Sequence, residues 1–281
     1  TADEIGAIFN RQSAKYVGIY TSPVFDSADA SHEWQGFNWK TTKPFGKQLV
    51  GTADVSRAAI ASDAETTADY SQITNTSLTD QLKVLWHLDN KSSLSLNHQV
   101  FDESGNSNHG YGAIGSAFDA PGIVSTSTFF DGGLGHIEGP NIKSQMTGSY
   151  SFGLWLNPAS TVGFRKYFHV QESLNQEINL DYNTGFNCYT AATFSANNFL
   201  QYIAPIELNR WYHLLCVVDN VAHMKYFYVN GLLVGSTSTA VVIPWPNDFI
   251  RLGLRNTNIE AFLGRLEEVA IWGRTLNAAE V

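Results

Sequence analysis

The chain has 281 residues and a formal net charge of −9, with 43% hydrophobic, 13% aromatic and only 15% charged residues. The negative balance argues against a nucleic-acid partner, because binding a phosphate backbone requires a surplus of Lys and Arg. No apolar run is long enough to span a bilayer, so membrane insertion is not expected. Frequent aromatic, Thr, Ser, Asn and Gly residues predict many short strands joined by polar turns.

The first part of the chain, residues 1–80, predicts a connector that precedes the main domain. Residues 1–12 predict a short helix, since Thr1 and Glu4 have the spacing of a capping box. After it, residues 16–50 predict a small β unit, and residues 51–80 predict an irregular linker.

A short echo connects the two ends of the sequence. Thr1–Ile5 aligns with Asn277–Val281, because both combine a small residue, an Ala, an acidic residue and an aliphatic residue in the same order. Such an internal repeat predicts a piece of a tandem array.

From Leu82 onward, apolar segments recur at short intervals and are separated by Gly, Asn, Asp and Pro. No amphipathic segment of helix length lies between them, so each is predicted to be a β-strand. The expectation is an all-β domain over residues 81–281, a two-sheet antiparallel jelly-roll sandwich. The predicted strands are 84–88, 126–130, 150–156, 167–170, 177–180, 211–218, 224–229, 249–254 and 264–272.

Residues 100–110, Val-Phe-Asp-Glu-Ser-Gly-Asn-Ser-Asn-His-Gly, predict a tight polar loop between two strands. Gly, Asn and Asp allow left-handed backbone and local side-chain hydrogen bonds. Carboxylate, amide, hydroxyl and carbonyl oxygens are also the ligands that Ca²⁺ prefers. The loop therefore predicts a structural calcium site.

The two cysteines, Cys188 and Cys216, allow a single disulfide bond. Cys216 lies in the apolar run Trp211–Val218, which favours a buried free thiol. The spacing patterns of zinc sites are absent. The free thiol is the preferred interpretation, and the disulfide stays open.

A series of motifs follows in a fixed order along the second part of the chain: Leu85–Leu88, Phe101–Gly110, Phe129–Gly132, Tyr150–Leu156, Arg210–Leu214, Tyr228–Gly231, Phe262–Gly264 and Leu266–Leu276. In this order they resemble the laminin-G-like, concanavalin A-like jelly-roll family. The resemblance implies two curved antiparallel sheets. It also implies a structural Ca²⁺ between the early polar loop and an acidic pair near the C-terminus.

Carried over to this sequence, the calcium ligands implied by the resemblance are Asp102, Asn106, the carbonyl of His109, and Glu268. Glu267 departs from the family pattern, which usually has Asp at this position. The alternative is a turn that is closed by its own hydrogen bonds and bridged by Glu268 without a metal.

The N-terminal part resembles connectors between laminin-G-like repeats of large bacterial surface proteins. The residues that carry this resemblance are Tyr20–Asp26, Trp39 and Pro44–Gln48. It implies an extracellular location at the bacterial cell surface, and either tandem repeats or a homo-oligomer such as a trimer.

Catalytic motifs are not evident. Glycosidases of this architecture need two carboxylates on one face of a strand, commonly as Glu-x-Asp-x-x-Glu. The nearest candidate, Glu267 with Glu268, is an adjacent pair that points to opposite faces, and no nucleophile elbow, zinc motif or phosphate loop occurs. The chain is therefore predicted not to be an enzyme.

Aromatic residues in predicted loops are the candidates for glycan binding, since aromatic rings pack against the C–H surface of sugars. Trp245 lies between two prolines, which disfavour a central strand. The alternative is that Trp245 fills one end of the sandwich. The predicted ligand-binding residues are Trp245, Asp248, Phe249, Phe186, Tyr189 and Tyr202.

Together these patterns predict a non-enzymatic binding module of an extracellular bacterial adhesin or fibre, which recognises a surface glycan or protein. The alternative is a structural spacer or oligomerisation unit of a surface fibre. A carbohydrate-active enzyme is the third hypothesis, and it would need a carboxylate pair that the motif search does not find.

Overall fold

A computed structural model of the chain describes residues 78–88, 98–112, 116–123, 126–173, 176–191, 199–255, 257, 259–278 and 280–281. The predicted helix at 1–12, the β unit at 16–50 and nearly all of the linker at 51–80 lie outside the described residues.

Within these ranges the chain forms short strands and one turn of 3-10 helix. The elements are β1 (Leu82–Trp86), β2 (His98–Val100), β3 (Gly110–Gly112), β4 (Ser116–Pro121), β5 (Thr126–Asp131), β6 (Ile137–Glu138), a 3-10 turn (Lys143–Gln145), β7 (Tyr150–Pro158), β8 (Arg165–Ser173), β9 (Gln176–Tyr182), β10 (Phe186–Ala191), β11 (Phe199–Tyr202), β12 (Tyr212–Asp219), β13 (Met224–Val229), β14 (Leu232–Ser238), β15 (Arg251–Leu252) and β16 (Leu263–Trp272).

The strands form two antiparallel sheets. The first sheet has the order β14-β13-β12-β7-β16-β5-β4, and β1 pairs with β16. The second sheet has the order β11-β10-β9-β8-β15-β6-β3-β2. The predicted all-β architecture with two antiparallel sheets is confirmed, and it is consistent with a jelly-roll sandwich.

The main core lies between the sheets and is built from alternate residues of facing strands. Phe152, Leu154 and Leu156 of β7 are completely buried. On β8, Val170 is completely buried and Phe168 is 1% exposed. Successive side chains of a strand point to opposite faces, so the same strands present a second row of residues on their outer side.

A disulfide bond joins Cys188 of β10 to Cys216 of β12, with 6.0 Å between the two Cα atoms. The bond links the second sheet to the first across the core. The interpretation of Cys216 as a free thiol is therefore wrong. The sequence correctly predicts the apolar surroundings of Cys216, but only the packing of the two sheets brings the cysteines together.

A smaller apolar cluster covers the outer side of the first sheet, and the C-terminal segment packs onto it. Leu276 N donates to Ser151 Oγ at 3.0 Å, and Arg274 Nη2 lies 2.8 Å from Glu280 Oε1. The cluster consists of Leu82, Leu85, Leu215, Val217, Tyr228, Ala270, Trp272 and Leu276.

Some strands differ from the sequence-based expectation. Both β10 and β11 fall in segments predicted as loops, while β15 has two residues where 249–254 was predicted. Asn183, Thr184 and Gly185 immediately precede β10 and form a turn signal, which predicts a loop there. Pairing with β9 and β11 overrides that signal, because strand stability depends mainly on cross-strand partners.

Candidate functional site

The outer side of the second sheet carries polar side chains on adjoining strands. In β9, Ile178 and Leu180 face the core, so Glu177, Asn179 and Asp181 point the other way. We call this surface the polar face, and it comprises Lys166, His169, Gln171, Glu177, Asn179, Asp181, Asn187 and Arg251. All of them except Arg251 are at most 6% exposed.

Lys166 occupies the centre of a charged network on the polar face. Its Nζ lies 2.6 Å from Asp181 Oδ2, 3.4 Å from Glu177 Oε1 and 3.7 Å from Glu260 Oε2. Burial would lower the pKa of Lys166, but the surrounding carboxylates outweigh burial and raise that pKa. Lys166 therefore stays charged and holds Glu177 and Asp181 in place.

Glu177 is stabilised as a carboxylate by donors on neighbouring strands. His169 Nε2 lies 3.0 Å from Glu177 Oε1, and Asn179 Nδ2 donates to the same oxygen at 2.8 Å. Burial would raise the pKa of Glu177, but the His169 hydrogen bond and the charges of Lys166 and Arg255 lower it to about 2. Burial lowers the pKa of His169, so the neutral imidazole donates through Nε2–H.

One row of residues crosses most of the second sheet from strand to strand. At one end Tyr111 is 56% exposed, and at the other Phe199 is 46% exposed. Between them, Arg251 Nε and Nη2 lie 3.0 and 2.8 Å from Glu138 Oε2. The register of the strand pairs places the row in the order Tyr111, Glu138, Arg251, His169, Asn179, Tyr189 and Phe199.

Several buried polar atoms of this face have no hydrogen-bond partner among the described residues. They are two acceptors, the Oδ1 atoms of Asn179 and Asn187, and two donors, Arg251 Nη1 and Arg255 Nε. The amide nitrogens of both asparagines are held by carboxylates, at 2.8 Å for Glu177 and 2.7 Å for Asp181. Buried polar atoms normally find partners, so these atoms are exceptions among the described residues.

The predicted calcium loop is closed by hydrogen bonds to Asp102. Its carboxylate accepts from the backbone N–H groups of Leu85, Ser104 and Asn108 at 2.8, 3.0 and 2.8 Å. The Ser104 hydroxyl donates to Asp102 Oδ2 at 2.7 Å. Asp102 is 5% exposed, so its hydrogen bond to Leu85 joins the loop to β1 in the protein interior.

The other predicted ligands of the loop also make local hydrogen bonds. Asn106 Nδ2 donates to the carbonyl of Leu82 at 2.7 Å, and His109 Nδ1 accepts from Asp102 N at 3.0 Å. Within the described part of the chain, no group of three His, Cys, Asp or Glu side chains has metal-binding geometry.

Glu268 lies at a bulge of β16, where its φ angle is 51°. Its Oε1 is 2.6 Å from His87 Nδ1, and His87 Nε2 is 3.0 Å from Glu103 Oε2. Burial would lower the pKa of His87, but the charge of Glu268 and the hydrogen bonds to Glu103 and Glu268 raise it to about 9. Glu267 is fully buried and accepts from Ile123 N at 2.5 Å.

Three of the predicted ligand-binding aromatic residues are buried, Tyr189 on the outer side of the second sheet and the other two in the core. Trp245 and Phe186 are fully buried, and Tyr189 is 4% exposed. Trp245 packs against Tyr150, Phe152 and Phe168, with ring centroids 5.3, 6.2 and 6.3 Å away. Assigning Trp245 and Phe186 to a surface site is therefore wrong: the flanking prolines keep Trp245 out of the sheets, but its ring fills the core.

The remaining predicted ligand residues are more accessible. Tyr202 is half-buried on β11, and its ring stacks on that of Phe186 with centroids 6.4 Å apart. Asp248 accepts from Phe249 N at 2.8 Å, and Phe249 is 53% exposed. Both lie on the segment between β14 and β15, outside the row that crosses the second sheet.

The polar face was missed in the sequence, although a signal for it exists. Glu177-Ile-Asn-Leu-Asp181 alternates polar and apolar residues with the strand period, which places both acids on one face. The adjacent acids Glu267 and Glu268, by contrast, are predicted to point to opposite faces of their strand. The contributions of Lys166, His169 and Arg251 come from other strands, and their convergence depends on sheet order.

The fold and the polar face define a two-sheet antiparallel β-sandwich with a polar outer surface on one sheet. The family model described as the concanavalin A-like lectin/glucanases superfamily matches residues 131–281, just over half of the chain. The chain therefore belongs to this superfamily, in its laminin-G type, as the motif order indicated. A search of curated proteins found no match.

Solved structures share this fold at low sequence identity. Domain 4 of AbnA, an extracellular arabinanase from Geobacillus stearothermophilus in complex with arabinotriose, has a TM-score of 0.58 and 20% identity; the match covers 71% of this chain and 96% of that domain. The receptor binding domain of botulinum neurotoxin D has a TM-score of 0.55 and 14% identity, covering 72% and 51%.

Trypanosoma rangeli sialidase has a TM-score of 0.54 and 16% identity, and the match covers 71% of this chain. It covers 31% of the sialidase, so this chain corresponds to one part of that enzyme and to about half of the neurotoxin domain. At these identities the similarity concerns the fold. Among the described residues, no helix is both long and apolar enough to cross a membrane.

Proposed function

We propose that this chain is a non-enzymatic glycan-binding module and that the polar face of the second sheet is its ligand site. The observation that carries the proposal is the row across the sheet, in which the exposed Tyr111 and Phe199 rings flank the partly exposed Glu138 and Arg251 side chains. Aromatic rings pack on the C–H surfaces of sugars, and polar side chains at the surface exchange hydrogen bonds with hydroxyl groups.

The charges of the site favour a neutral glycan. Arg251 is paired with Glu138, and Lys166 is surrounded by carboxylates, so the positive charge of each is already balanced within the protein. His169 is neutral because burial lowers its pKa. The arabinotriose complex of the structurally similar arabinanase domain supports a carbohydrate ligand for this fold.

The contacts of the Glu177 and Asp181 carboxylates support binding without catalysis. Glycoside hydrolysis needs a general acid that is protonated near neutral pH, which requires a raised carboxyl pKa. Here Glu177 has a pKa lowered to about 2, and both Glu177 and Asp181 contact Lys166 Nζ. An ionised, cation-bound carboxylate such as Glu177 positions neighbouring groups and does not supply protons.

The disulfide bond supports an extracellular location, because disulfides form and persist in oxidising compartments. We propose that the module belongs to a bacterial adhesin or fibre, as the resemblance of the N-terminal motifs implies. Its proposed ligand is a glycan displayed on a surface.

Glycan-array screening followed by titration calorimetry with the best neutral oligosaccharide tests the proposal. Tyr111→Ala and Phe199→Ala are expected to weaken binding by about tenfold each, since each removes an exposed stacking ring. Leu232→Ala is the matched control, because Leu232 is 71% exposed on β14 of the other sheet.

If the wild-type protein bound no glycan on the array, the proposed function would be refuted. Binding that persists in both ring variants would place the site elsewhere. Release of a reducing end from bound oligosaccharide would show that the module is an enzyme.

A further inference from the structure

The loop at 101–110 and the last strand are joined through one histidine ring. His87 follows β1 directly, Glu103 belongs to the loop, and Glu268 belongs to β16. The ring nitrogens Nδ1 and Nε2 contact Glu268 and Glu103 at 2.6 and 3.0 Å. His87 is 2% exposed, so this contact is sheltered from solvent.

The calcium ligands implied by the family resemblance do not fit a calcium ion in this structure. The carboxylate of Asp102 already accepts from four donors, three backbone amides and the Ser104 hydroxyl. Asn106 points its amide nitrogen toward β1 carbonyls, and an N–H group repels a cation. To bind Ca²⁺, the loop would have to exchange these hydrogen bonds for metal contacts.

The position of the ring also prevents a shared metal site. Glu103 and Glu268 lie on opposite nitrogens of His87, so no single ion could contact all three side chains. Each ring nitrogen of His87 faces one of the two carboxylates, so the ring itself bridges Glu103 and Glu268. The ring then joins the loop to the last strand, as calcium does in the family pattern.

We propose that His87, and not a calcium ion, joins the polar loop to β16 in this protein. The ring belongs to the residue that follows β1 and contacts one carboxylate at each nitrogen, and it brings the first described strand, the loop and the last strand together. Removing the ring breaks both of these sheltered hydrogen bonds, which is destabilising.

Thermal unfolding of the whole chain, with excess chelator and with millimolar CaCl₂, tests the inference. The melting temperature of the wild type is expected to be the same under both conditions. His87→Gln should lower it by on the order of 10 °C, whereas His136→Gln, a control histidine at the surface, should leave it unchanged.

Glu103→Gln keeps the inference testable if the His87 variant does not fold, because Glu103 lies partly at the surface. It should lower the melting temperature by a few degrees and should not make stability depend on calcium. A clear rise of the wild-type melting temperature with CaCl₂, or an unchanged melting temperature of His87→Gln, would overturn the inference.

Discussion

Single side chains on the polar face owe their charge state to residues of neighbouring strands. Lys166 and Glu177 are both 6% exposed, which would be costly for an isolated charge. Each is instead surrounded by opposite charge or hydrogen-bond donors, so both remain ionised. The sequence shows these residues but not their neighbours, which come from β8, β9 and the segment after β15.

Glu177 makes stability depend on pH in the acid range. Its pKa in the folded chain is about 2, below the ordinary value of 4.5, so its contribution is present above pH 4.5 and is lost as pH falls through 2. The loss should be on the order of 3 kcal/mol. Urea unfolding at several pH values should show a shallower acid decline for Glu177→Gln than for the wild type.

The groups facing Glu177 are His169, Lys166, Arg255, Asn179 and Gln171. His169 has a pKa lowered by burial and partly restored by Glu177, so the difference between the two proteins reports the Glu177–His169 pair. Equal slopes for the two proteins would show that Glu177 is not held as a carboxylate.

Gly139 is required for the packing of Trp86. A Cβ added at Gly139 would lie 2.2 Å from an atom of the Trp86 ring, which is fully buried and donates to Asn108 O. Gly139→Ala should therefore destabilise the fold by about 1–3 kcal/mol in urea unfolding. Gly148→Ala, where nothing lies within 4 Å, is the control and should change stability by less than about 1 kcal/mol.

At the scale of elements, pairing and packing decided what local patterns could not. The loop at 101–110 was recognised from its Asp, Asn and Gly residues, and Asp102 holds it to β1. Strand β10 was missed because the turn residues Asn183, Thr184 and Gly185 precede it, yet every residue in it is buried. Its two neighbours, β9 and β11, supply the pairing that stabilises it as a strand.

The bond between β10 and β12 is expected to contribute stability by restricting the unfolded chain. The loop it closes has a sequence separation of 28, for which the chain-entropy model gives about 3–4 kcal/mol. The double variant Cys188→Ala/Cys216→Ala should lose this amount in urea unfolding, and reductant should affect only the wild type. A variant as stable as the oxidised wild type would contradict the expectation.

At the scale of the whole molecule, Trp245 helps to hold the two sheets together. Its ring contacts Tyr150 and Phe152 of β7 in the first sheet and Phe168 of β8 in the second. Trp245→Ala should cost about 3–5 kcal/mol in urea unfolding, because it opens a cavity between the sheets. Val221→Ala, at a residue that is 87% exposed, is the control and should have little effect.

A near-normal stability of Trp245→Ala would mean that the ring is not a core residue and would restore it as a candidate for ligand binding. Loss of glycan binding alone, with unchanged unfolding, would lead to the same conclusion.

The sequence by itself determined the all-β class, most long strands, the polar loop and the family, because these depend on period, turn residues and motif order. The tertiary structure alone decided the Cys188–Cys216 pairing, the burial of Trp245 and the convergence of Lys166, Glu177 and Asp181. Each of these joins residues of different strands, and strand order follows from packing that no local pattern encodes.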